Sequence, residues 1–260
     1  MDSDRTSSPA RLSEPPLAPS ERRFFVEPDL PLAVGDKLEL SEEAAKHARV
    51  CRLAVGNPVE VFDGQGRAAP ALITGLWSRL LTIELTAPAR RLARGPALSM
   101  ILCVPRAGKL DDIVRQTCEL GITAIHLAIS DFSVGTAARV DSKLSRLDRV
   151  AREALRQSEG AYLPQLHPPT PLREVVERVG SEGQRVMLAA RGGAPLHLEA
   201  YGSPAWMVVG PEGGLSPREE AMLHDRSFVA ATLGPSVLRV ETAAVVGAAL
   251  ALYQLRGDAG

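Results

Sequence analysis

The chain has 260 residues, of which 45% are hydrophobic and 23% are charged, and its formal net charge at pH 7 is −1. This composition is typical of a globular protein and excludes a collagen-like or globally disordered chain. The nearly neutral charge excludes a protein that coats nucleic acid by bulk charge, so any nucleic-acid contact has to come from a local basic patch.

The sequence also argues against a membrane span, secretion and a metal site. The longest apolar run, residues 242–253, is shorter than the roughly 18 residues of a membrane span. The first residues carry no apolar segment of a secretory signal, so we expect a cytoplasmic protein with reduced thiols. Cys51, Cys103 and Cys118 form no CxxC pair, and the five histidines show no HExxH or HxH spacing, so we expect no metal.

The first third of the chain is predicted to form a small β-rich domain after a disordered leader. Residues 1–20 are rich in Ser, Pro, Asp and Arg, a composition that disfavours folding. Alternation and turn residues then predict strands over 36–40, 58–62, 69–74 and 80–85, and a helix over 41–48. We predict a partly closed barrel over residues 21–94. The linker is placed at residues 87–96, which contain two prolines and three arginines.

The rest of the chain, residues 95–260, alternates between strand-like and helix-like segments. The predicted strands are 98–104, 124–129, 185–190, 205–209 and 228–233. The predicted helices are 109–120, 141–158, 171–179, 217–223 and 241–255. This alternation predicts an α/β domain with a mostly parallel sheet, whose strands are apolar on both faces because helices cover both sides.

Two loops stand where ligands bind in such sheets, beyond the carboxyl ends of strands. The first, VGPEGGLS at residues 209–216, is dense in glycine, which lets a flat ligand approach the backbone closely. The second, LGPSVLRVETA at 233–243, places Arg239 at a helix N-terminus, a combination that attracts anions. The structural alternatives are a tight strand-to-helix turn for the first loop and a solvated arginine for the second.

Two further features concern surfaces. The helix after Glu241 is apolar all round and is therefore predicted to be buried, either in a subunit interface or in a monomer core. A basic stripe with spacings of four, three and three is expected on one side of the predicted helix 141–158, and a solvated face is its structural alternative. The stripe consists of Arg139, Lys143, Arg146 and Arg149.

Together, the two loops resemble the signature loops of SPOUT-class methyltransferases, and most closely those of the RsmE-type family. That family methylates N3 of a uridine in small-subunit (16S) ribosomal RNA. Further matches are RRFFV at 22–26, FDG at 62–64 and ELGI at 119–122, so the resemblance extends over nearly the whole chain.

The resemblance implies a trefoil-knotted methyltransferase domain that follows a PUA-like barrel and binds S-adenosylmethionine. It also implies a homodimer packed through the C-terminal helix, with ribosomal RNA or the small ribosomal subunit as partner and neither a membrane nor DNA. The residues expected to bind the cofactor are Leu188, Ala190, Gly210, Pro211, Glu212, Gly213, Gly214, Leu233, Gly234, Val237, Leu238 and Thr242.

The expected chemistry depends on Arg239, whose charge suits the negative charge that a uridine acquires when N3 loses its proton. Glu241 is the second catalytic candidate, either as the general base or as a residue that caps the helix or holds Arg239. The residues expected to bind RNA are Arg22, Arg23, Arg49, Arg52, Lys109, Arg139, Lys143 and Arg146.

The chain departs from the family pattern at three positions, where basic side chains are missing or moved. They are Gln116, in a lysine position, and the segments around Phe132 and Gly160, with Arg115 and Arg156 as partial replacements. Two alternatives therefore stand beside 16S ribosomal RNA methylation. One is the same chemistry on a different RNA, and the other is an RNA-binding or assembly protein that has lost turnover.

Overall fold

The computed structural model describes residues 22–106, 108–134, 137–200 and 204–257. The predicted leader, residues 1–20, lies outside this part of the chain. Two sheets organise the described residues, one in each half. No helix in the described ranges is long and apolar enough to cross a membrane.

The N-terminal half forms a mixed sheet with one helix beside it. Its elements are β1 (Arg23–Phe25), β2 (Lys37–Leu40), α1 (Glu42–Val50), β3 (Pro58–Phe62), β4 (Arg67–Leu76), β5 (Leu81–Leu85) and β6 (Arg90–Arg91). The strand order is β1-β3-β4-β5-β2, with β6 on β4. Only β1 and β3 pair in parallel. The predicted strands and the helix capped by Ser41 are confirmed.

Part of the segment 87–96, where the linker is predicted, joins this sheet. Within it, Arg90–Arg91 forms β6 and pairs with β4. The guanidinium of Arg90 also donates to the carboxylate of Glu60 on β3 at 2.9 Å. Two prolines thus bracket a short strand that the sequence pattern did not reveal.

The C-terminal half contains a seven-stranded sheet in which every pair is parallel, as predicted. Its order is β11-β13-β10-β12-β7-β8-β9. The elements are β7 (Leu98–Cys103), α2 (Leu110–Leu120), β8 (Ala124–Ile129), α3 (Ala137–Asp141), α4 (Leu144–Gln157), β9 (Gln165–Pro171), α5 (Leu172–Glu177), β10 (Gln184–Leu188), β11 (Ala194–Pro195), β12 (Ala205–Val209), α6 (Pro217–Asp225), β13 (Val229–Thr232) and α7 (Val240–Arg256).

Helices cover both faces of this sheet, so its central strands are apolar on both sides. On β7, Met100 and Leu102 face one core with α2, α4 and α7. Ile101 and Cys103 face a second core with α5 and α6. The continuous apolar runs in the sequence follow directly from this layering.

Two details of this half differ from the sequence predictions. The predicted helix 141–158 is α4, which begins only at Leu144. Arg139 lies on the separate helix α3 and Lys143 at the N-cap position of α4, so the predicted basic stripe does not lie on one helix. Strand β9 was not predicted because it contains three prolines. The prolines are tolerated because β9 lies at an edge of the sheet, where one side of the strand has no neighbouring strand to receive backbone N–H groups.

Within the single chain, helix α7 is buried on one side only, so burial of its other side in a subunit interface stays a prediction. Ala244, Gly247 and Ala248 face the core, where α7 packs against α2, β7 and β12. The opposite side exposes Leu250 and Tyr253, with 40% and 72% of their surface accessible. The helix therefore presents an apolar stripe to its surroundings.

Candidate functional site

A cleft of about 780 Å³ opens beyond the carboxyl ends of β10, β12 and β13. Its walls are the two loops singled out in the sequence, which follow β12 and β13. In parallel sheets this edge is where ligands bind, because loops from several strands converge there. The cleft is therefore the candidate active site.

The glycines of the first loop are required by close contacts and by the backbone. Gly214 has φ +75° and donates its N–H to Pro211 O at 2.9 Å, which closes a tight turn. A Cβ on Gly210 would lie 3.3 Å from the carbonyl carbon of Gly214. A Cβ on Gly213 would lie 3.0 Å from Cβ of Phe132, so the loop packs against the segment after β8.

A buried polar network fixes the far end of this loop at the start of α6. Ser216 caps α6 and receives the backbone N–H of Glu219, whose carboxylate in turn accepts the N–H of Ser216 at 2.9 Å. The same carboxylate accepts the N–H of Asp131 at 2.8 Å, and Ser216 Oγ donates to Asp131 Oδ2 at 2.5 Å. The loops after β8 and β12 are thereby held together.

Lys109 joins three loops at the floor of the cleft. Its Nζ lies 3.2 Å from Glu212 Oε1 in the first loop and 2.7 Å from Glu241 Oε2 in α7. The carboxylate of Glu212 also accepts the backbone N–H of Arg106 at 3.2 Å. One lysine between two carboxylates ties the segment after β7 to both loops of the cleft.

These contacts shift the pKa values of all three groups. Hydrogen bonding to Glu241 and then to Glu212 raises the pKa of Lys109, against a smaller opposing effect of burial. The pKa of Glu241 is lowered, first by Lys109 and then by its own backbone. Burial acts to raise the pKa of Glu212, but backbone N–H groups and Lys109 lower it overall.

Arg239 immediately precedes α7 and lines the cleft with an exposed side chain. It forms no ion pair with any residue of the described ranges. Its charge is close enough to lower the pKa of Glu241. A guanidinium that is held at the mouth of a cleft and not neutralised by a bridge can stabilise an anion that enters it.

Most of the predicted cofactor residues line this cleft. They are Leu188, Ala190, Gly210, Pro211, Glu212, Gly213, Gly214, Leu233, Val237 and Leu238. Gly234, Thr242 and Glu241 are not among the lining residues. Thr242 is exposed, and Gly234 instead accepts from Thr232 Oγ1 through its carbonyl at 3.0 Å.

The structure contradicts one of the predicted RNA contacts and places two others in ion pairs within the protein. Arg23 is fully buried between Glu60, at 2.9 Å, and the ring of Phe62, so it is a core residue. Burial lowers the pKa of Arg23 and Glu60 opposes this shift. Lys109 belongs to the bridge in the cleft, and Arg146 pairs with Asp111 on α2.

The proposed replacements for the missing basic residues are also engaged within the protein. Arg115 pairs with Asp112 and Glu119, both at 3.3 Å. Arg156 pairs with Glu153 and lies 3.0 Å from His47. Both guanidinium groups are therefore tied to neighbouring side chains.

Four functional candidates were missed or misassigned from the sequence. Arg191, Glu220 and His224 also line the cleft, and Asp131 holds its loop. Asp131 lies two residues after the end of β8, so its position beyond a predicted strand was the available signal. Arg191 carried the same signal, because it follows the predicted strand 185–190. Glu220 and His224 lie on α6, and nothing in their local pattern separates them from solvated residues.

Comparison with known proteins places this geometry in a family. The sequence profile of the RNA methyltransferase domain matches residues 93–252. The ribosomal RNA small subunit methyltransferase E of Mycobacterium bovis is 31% identical over 238 residues, covering 84% of this chain and 87% of its own. The Synechocystis protein of the same name is 28% identical, covering 77% of this chain and 67% of its own.

A solved structure agrees with these relatives. The crystal structure of a ribosomal RNA small subunit methyltransferase E from Neisseria gonorrhoeae bound to S-adenosyl methionine superimposes with a TM-score of 0.82. It is 25% identical, and the match covers 90% of this chain and 98% of that one. The chain belongs to the RNA methyltransferase family that contains the ribosomal RNA small subunit methyltransferases E.

Proposed function

We propose that this protein transfers a methyl group from S-adenosylmethionine to N3 of a uridine in 16S ribosomal RNA. The observation that carries the proposal is the cleft between the two loops, with Arg239 at its mouth. Family membership supports the reaction class, because the Mycobacterium bovis relative is named as a small-subunit ribosomal RNA methyltransferase. The neighbour from Neisseria gonorrhoeae was solved with the cofactor.

The residues of the cleft fit this cofactor. Its volume of about 780 Å³ lies in the range of pockets for small molecules and cofactors. Leu188 and Leu238 provide apolar walls for an adenine ring. Among the described residues, the N–H groups of Ser236 and Val237 donate to no backbone carbonyl, so they are available to a ligand. A Cβ on Gly210 would press on the backbone of Gly214 at 3.3 Å, so the chain is tightly packed at this wall of the cleft.

When bound, S-adenosylmethionine supplies an electrophilic sulfonium methyl group. Uridine N3 carries a proton at neutral pH, so it becomes nucleophilic only when that proton leaves and charge spreads onto the ring carbonyls. We assign the stabilisation of this charge to the guanidinium of Arg239. The walls of the cleft orient the base, and positioning of N3 against the methyl provides a further share of the rate.

For Glu241 the contacts favour a positioning role over that of a general base. Its carboxylate is engaged by Lys109 at 2.7 Å, and its lowered pKa makes it a weaker proton acceptor. We propose that Glu241 holds Lys109 and thereby the first loop, next to the arginine that contacts the base.

We further propose the domain organisation that the sequence suggested. Residues 21–94 form a PUA-like RNA-binding barrel, and residues 95–260 form a trefoil-knotted domain. The path of the chain supports a knot, since β13 lies beyond β10 at one side of the sheet whereas the following α7 returns to β7 and β12. Knots are exceptional among folds, so no periodicity in the sequence predicts one.

A homodimer through α7 is part of the same proposal. The exposed stripe of Val246, Leu250 and Tyr253 continues along one side of the helix at spacings of four and three. Apolar side chains in a continuous row indicate a contact surface. The stripe begins at Val246, seven residues after Arg239, the N-cap residue of the same helix. A ribosomal substrate implies a cytoplasmic location.

The RNA surface in this proposal uses the basic residues that the core does not absorb. They are Arg22, Arg49, Arg52, Arg139 and Lys143. Such local clusters suit phosphates, whose contacts fix the orientation of the RNA without reading its sequence.

The decisive experiment is methylation of small ribosomal subunits from a strain that lacks this enzyme. We expect labelled S-adenosylmethionine to yield 3-methyluridine in 16S ribosomal RNA, as identified by nucleoside mass spectrometry. Label in another RNA species would instead support the same chemistry on a different substrate. Tight RNA binding without label in any species would support an RNA-binding or assembly protein.

A further inference from the structure

Trp77 is one of two tryptophans in the chain, and it leaves 55% of its surface exposed. It follows β4 in the short turn that leads into β5. Tryptophan is highly buried on average in folded proteins. Its exposure on a turn of the N-terminal sheet therefore requires an explanation.

The ring is held in place by the strand on which it lies. A Cβ on Gly75 would be 2.1 Å from Cη2 and 2.3 Å from Cζ3 of Trp77, so the ring occupies the space that a side chain would take. The pairing of β4 with β5 shifts register between Ile73 and Gly75. Such bulges re-aim the residues that follow them.

The turn itself is fixed from α1. The guanidinium of Arg49 donates to the carbonyl oxygens of Trp77 at 3.0 Å and of Ser78 at 2.9 Å. Two hydrogen bonds from one planar group leave the turn little freedom. One part of the ring is thus packed and the rest faces solvent in a defined orientation.

Two exposed arginines lie in this turn and in a segment that adjoins it. Arg79 lies in the same turn with 83% of its side chain exposed, and its contact with Glu42 is a loose 3.8 Å. Arg52 is exposed one turn beyond Arg49 and bonds to the carbonyl of Arg49 through its backbone N–H at 3.0 Å. Exposed arginines on segments that adjoin an exposed aromatic ring are a combination that suits single-stranded nucleic acid.

We propose that Trp77 is a stacking platform for an unpaired base of the RNA substrate, with Arg52 and Arg79 on the neighbouring phosphates. This inference rests on the proposed function, because an RNA substrate supplies the unpaired base. A flat ring that is fixed before binding costs little entropy on stacking, and every base presents a π-face to it. The contact lies outside the cleft and acts on RNA affinity.

The test compares two substitutions at Trp77 in the full-length protein. Trp77→Leu keeps an apolar cover over Gly75 but removes the π-face, whereas Trp77→Phe keeps a ring. The probe is a short single-stranded oligouridylate labelled with fluorescein, and its dissociation constant is measured by fluorescence anisotropy. We expect about tenfold weaker binding for Trp77→Leu, the scale of one lost base stack, and a smaller loss for Trp77→Phe.

A direct reporter is available because Trp206 is the other tryptophan. In a Trp206→Phe background, the emission of Trp77 alone is expected to be quenched by the oligouridylate. Arg52→Gln is also expected to weaken binding of the oligouridylate relative to the wild type. Arg173→Gln, a change of an exposed arginine on α5, is the matched control and is expected to leave binding unchanged.

Methyl transfer separates this inference from the proposed function. At saturating ribosomal subunits, Trp77→Leu is expected to keep the turnover of the wild type and to raise only KM. Binding of Trp77→Leu within about twofold of the wild type, or unquenched emission, overturns the platform while the proposed function stands. A wild-type protein that neither binds nor methylates RNA overturns both.

Discussion

The ammonium of Lys109 bridges two carboxylates that belong to different loops, at 2.7 Å from Glu241 and 3.2 Å from Glu212. The two acids stand 29 residues apart in sequence, and each borders one loop of the cleft. A cation between them offsets their mutual repulsion and holds the cleft at one width. The geometry of the proposed cofactor site thus depends on a residue that neither loop contains.

Lys109→Met is expected to weaken cofactor binding several-fold, because Glu212 and Glu241 lose their shared counter-ion and the loops separate. Lys109→Arg is expected to bind nearly as the wild type does. Calorimetry with S-adenosylhomocysteine measures both. Lys46→Met, a change of an exposed lysine on α1, is the control. Unaltered affinity in Lys109→Met would show that the bridge does not shape the cleft.

Contact with Phe132 makes Gly213 a second sensitive point. Gly213→Val places a Cβ 3.0 Å from Cβ of Phe132, so either the loop or Phe132 has to move. We expect loss of cofactor binding by calorimetry, and partial recovery in the double variant with Phe132→Ala. Full affinity in Gly213→Val alone would contradict the proposed site. Gly234→Val is the corresponding test of the second loop. Gly234 has φ +149°, a backbone angle that valine rarely adopts.

The predicted dimer contact cannot be tested by substituting the buried small residues of α7, because they face the core of the single chain. A Cβ on Gly247 would lie 2.7 Å from Cδ1 of Leu188, so substitution there damages the core. Leu250→Arg instead places a charge on the exposed stripe. We expect it to convert a dimer into a folded monomer in analytical ultracentrifugation, while Val34→Arg, at another exposed site, leaves the dimer intact. A monomeric wild type would refute the interface.

Strand ends and core residues could be predicted from sequence where a local pattern of apolar residues alone determines the secondary structure. Strands β3, β8 and β12 begin and end where alternation or apolar runs place them. Arg23 could not be placed, because its burial depends on the register that sets it opposite Glu60, 37 positions later. Residues of the two glycine loops were predictable since loops after parallel strands converge. The bridge through Lys109 was not, because it joins three separate segments.

We expect a pair of histidines to make the stability of the fold depend on pH. His126 and His167 stack at 3.9 Å on β8 and β9, beside Trp206. Burial, then His167 and Arg178, lowers the pKa of His126 from 6.5 to about 4, and burial and Arg178 lower that of His167. The unfolded chain therefore binds more protons, so stability is complete above pH 6.5 and is lost as pH falls toward about 4.

Thermal unfolding between neutral pH and pH 5 measures this loss. His126→Phe keeps an aromatic ring in the stack and removes one titrating group. We expect its melting temperature to fall less steeply with pH than that of the wild type. If the melting temperatures of the two proteins fell equally steeply with pH, the histidine pair would not control the loss of stability in acid. Carboxylates with lowered pKa values, such as Glu153, become protonated only below this pH range. Between neutral pH and pH 5 the change in stability therefore comes from histidines.

The most direct prediction for the chemistry concerns Arg239. If its guanidinium stabilises the uridinate, Arg239→Ala lowers single-turnover methyl transfer at saturating RNA by about a hundredfold, the scale of a lost oxyanion donor. Cofactor affinity is expected to change little, because the loops present backbone groups and apolar walls to the adenosine. Arg239→Lys is expected to recover part of the rate, since it keeps the charge and loses the planar fork.

A phosphate contact is the competing role for Arg239, and the same assay separates the two. In that case Arg239→Ala raises the KM for RNA and leaves the saturated rate nearly intact. A saturated rate within about threefold of the wild type would remove Arg239 from the chemistry. Because Arg239 makes no ion pair within the described ranges, its removal leaves no buried partner uncompensated. A large loss of rate with an unchanged melting temperature therefore reports on the reaction and not on folding.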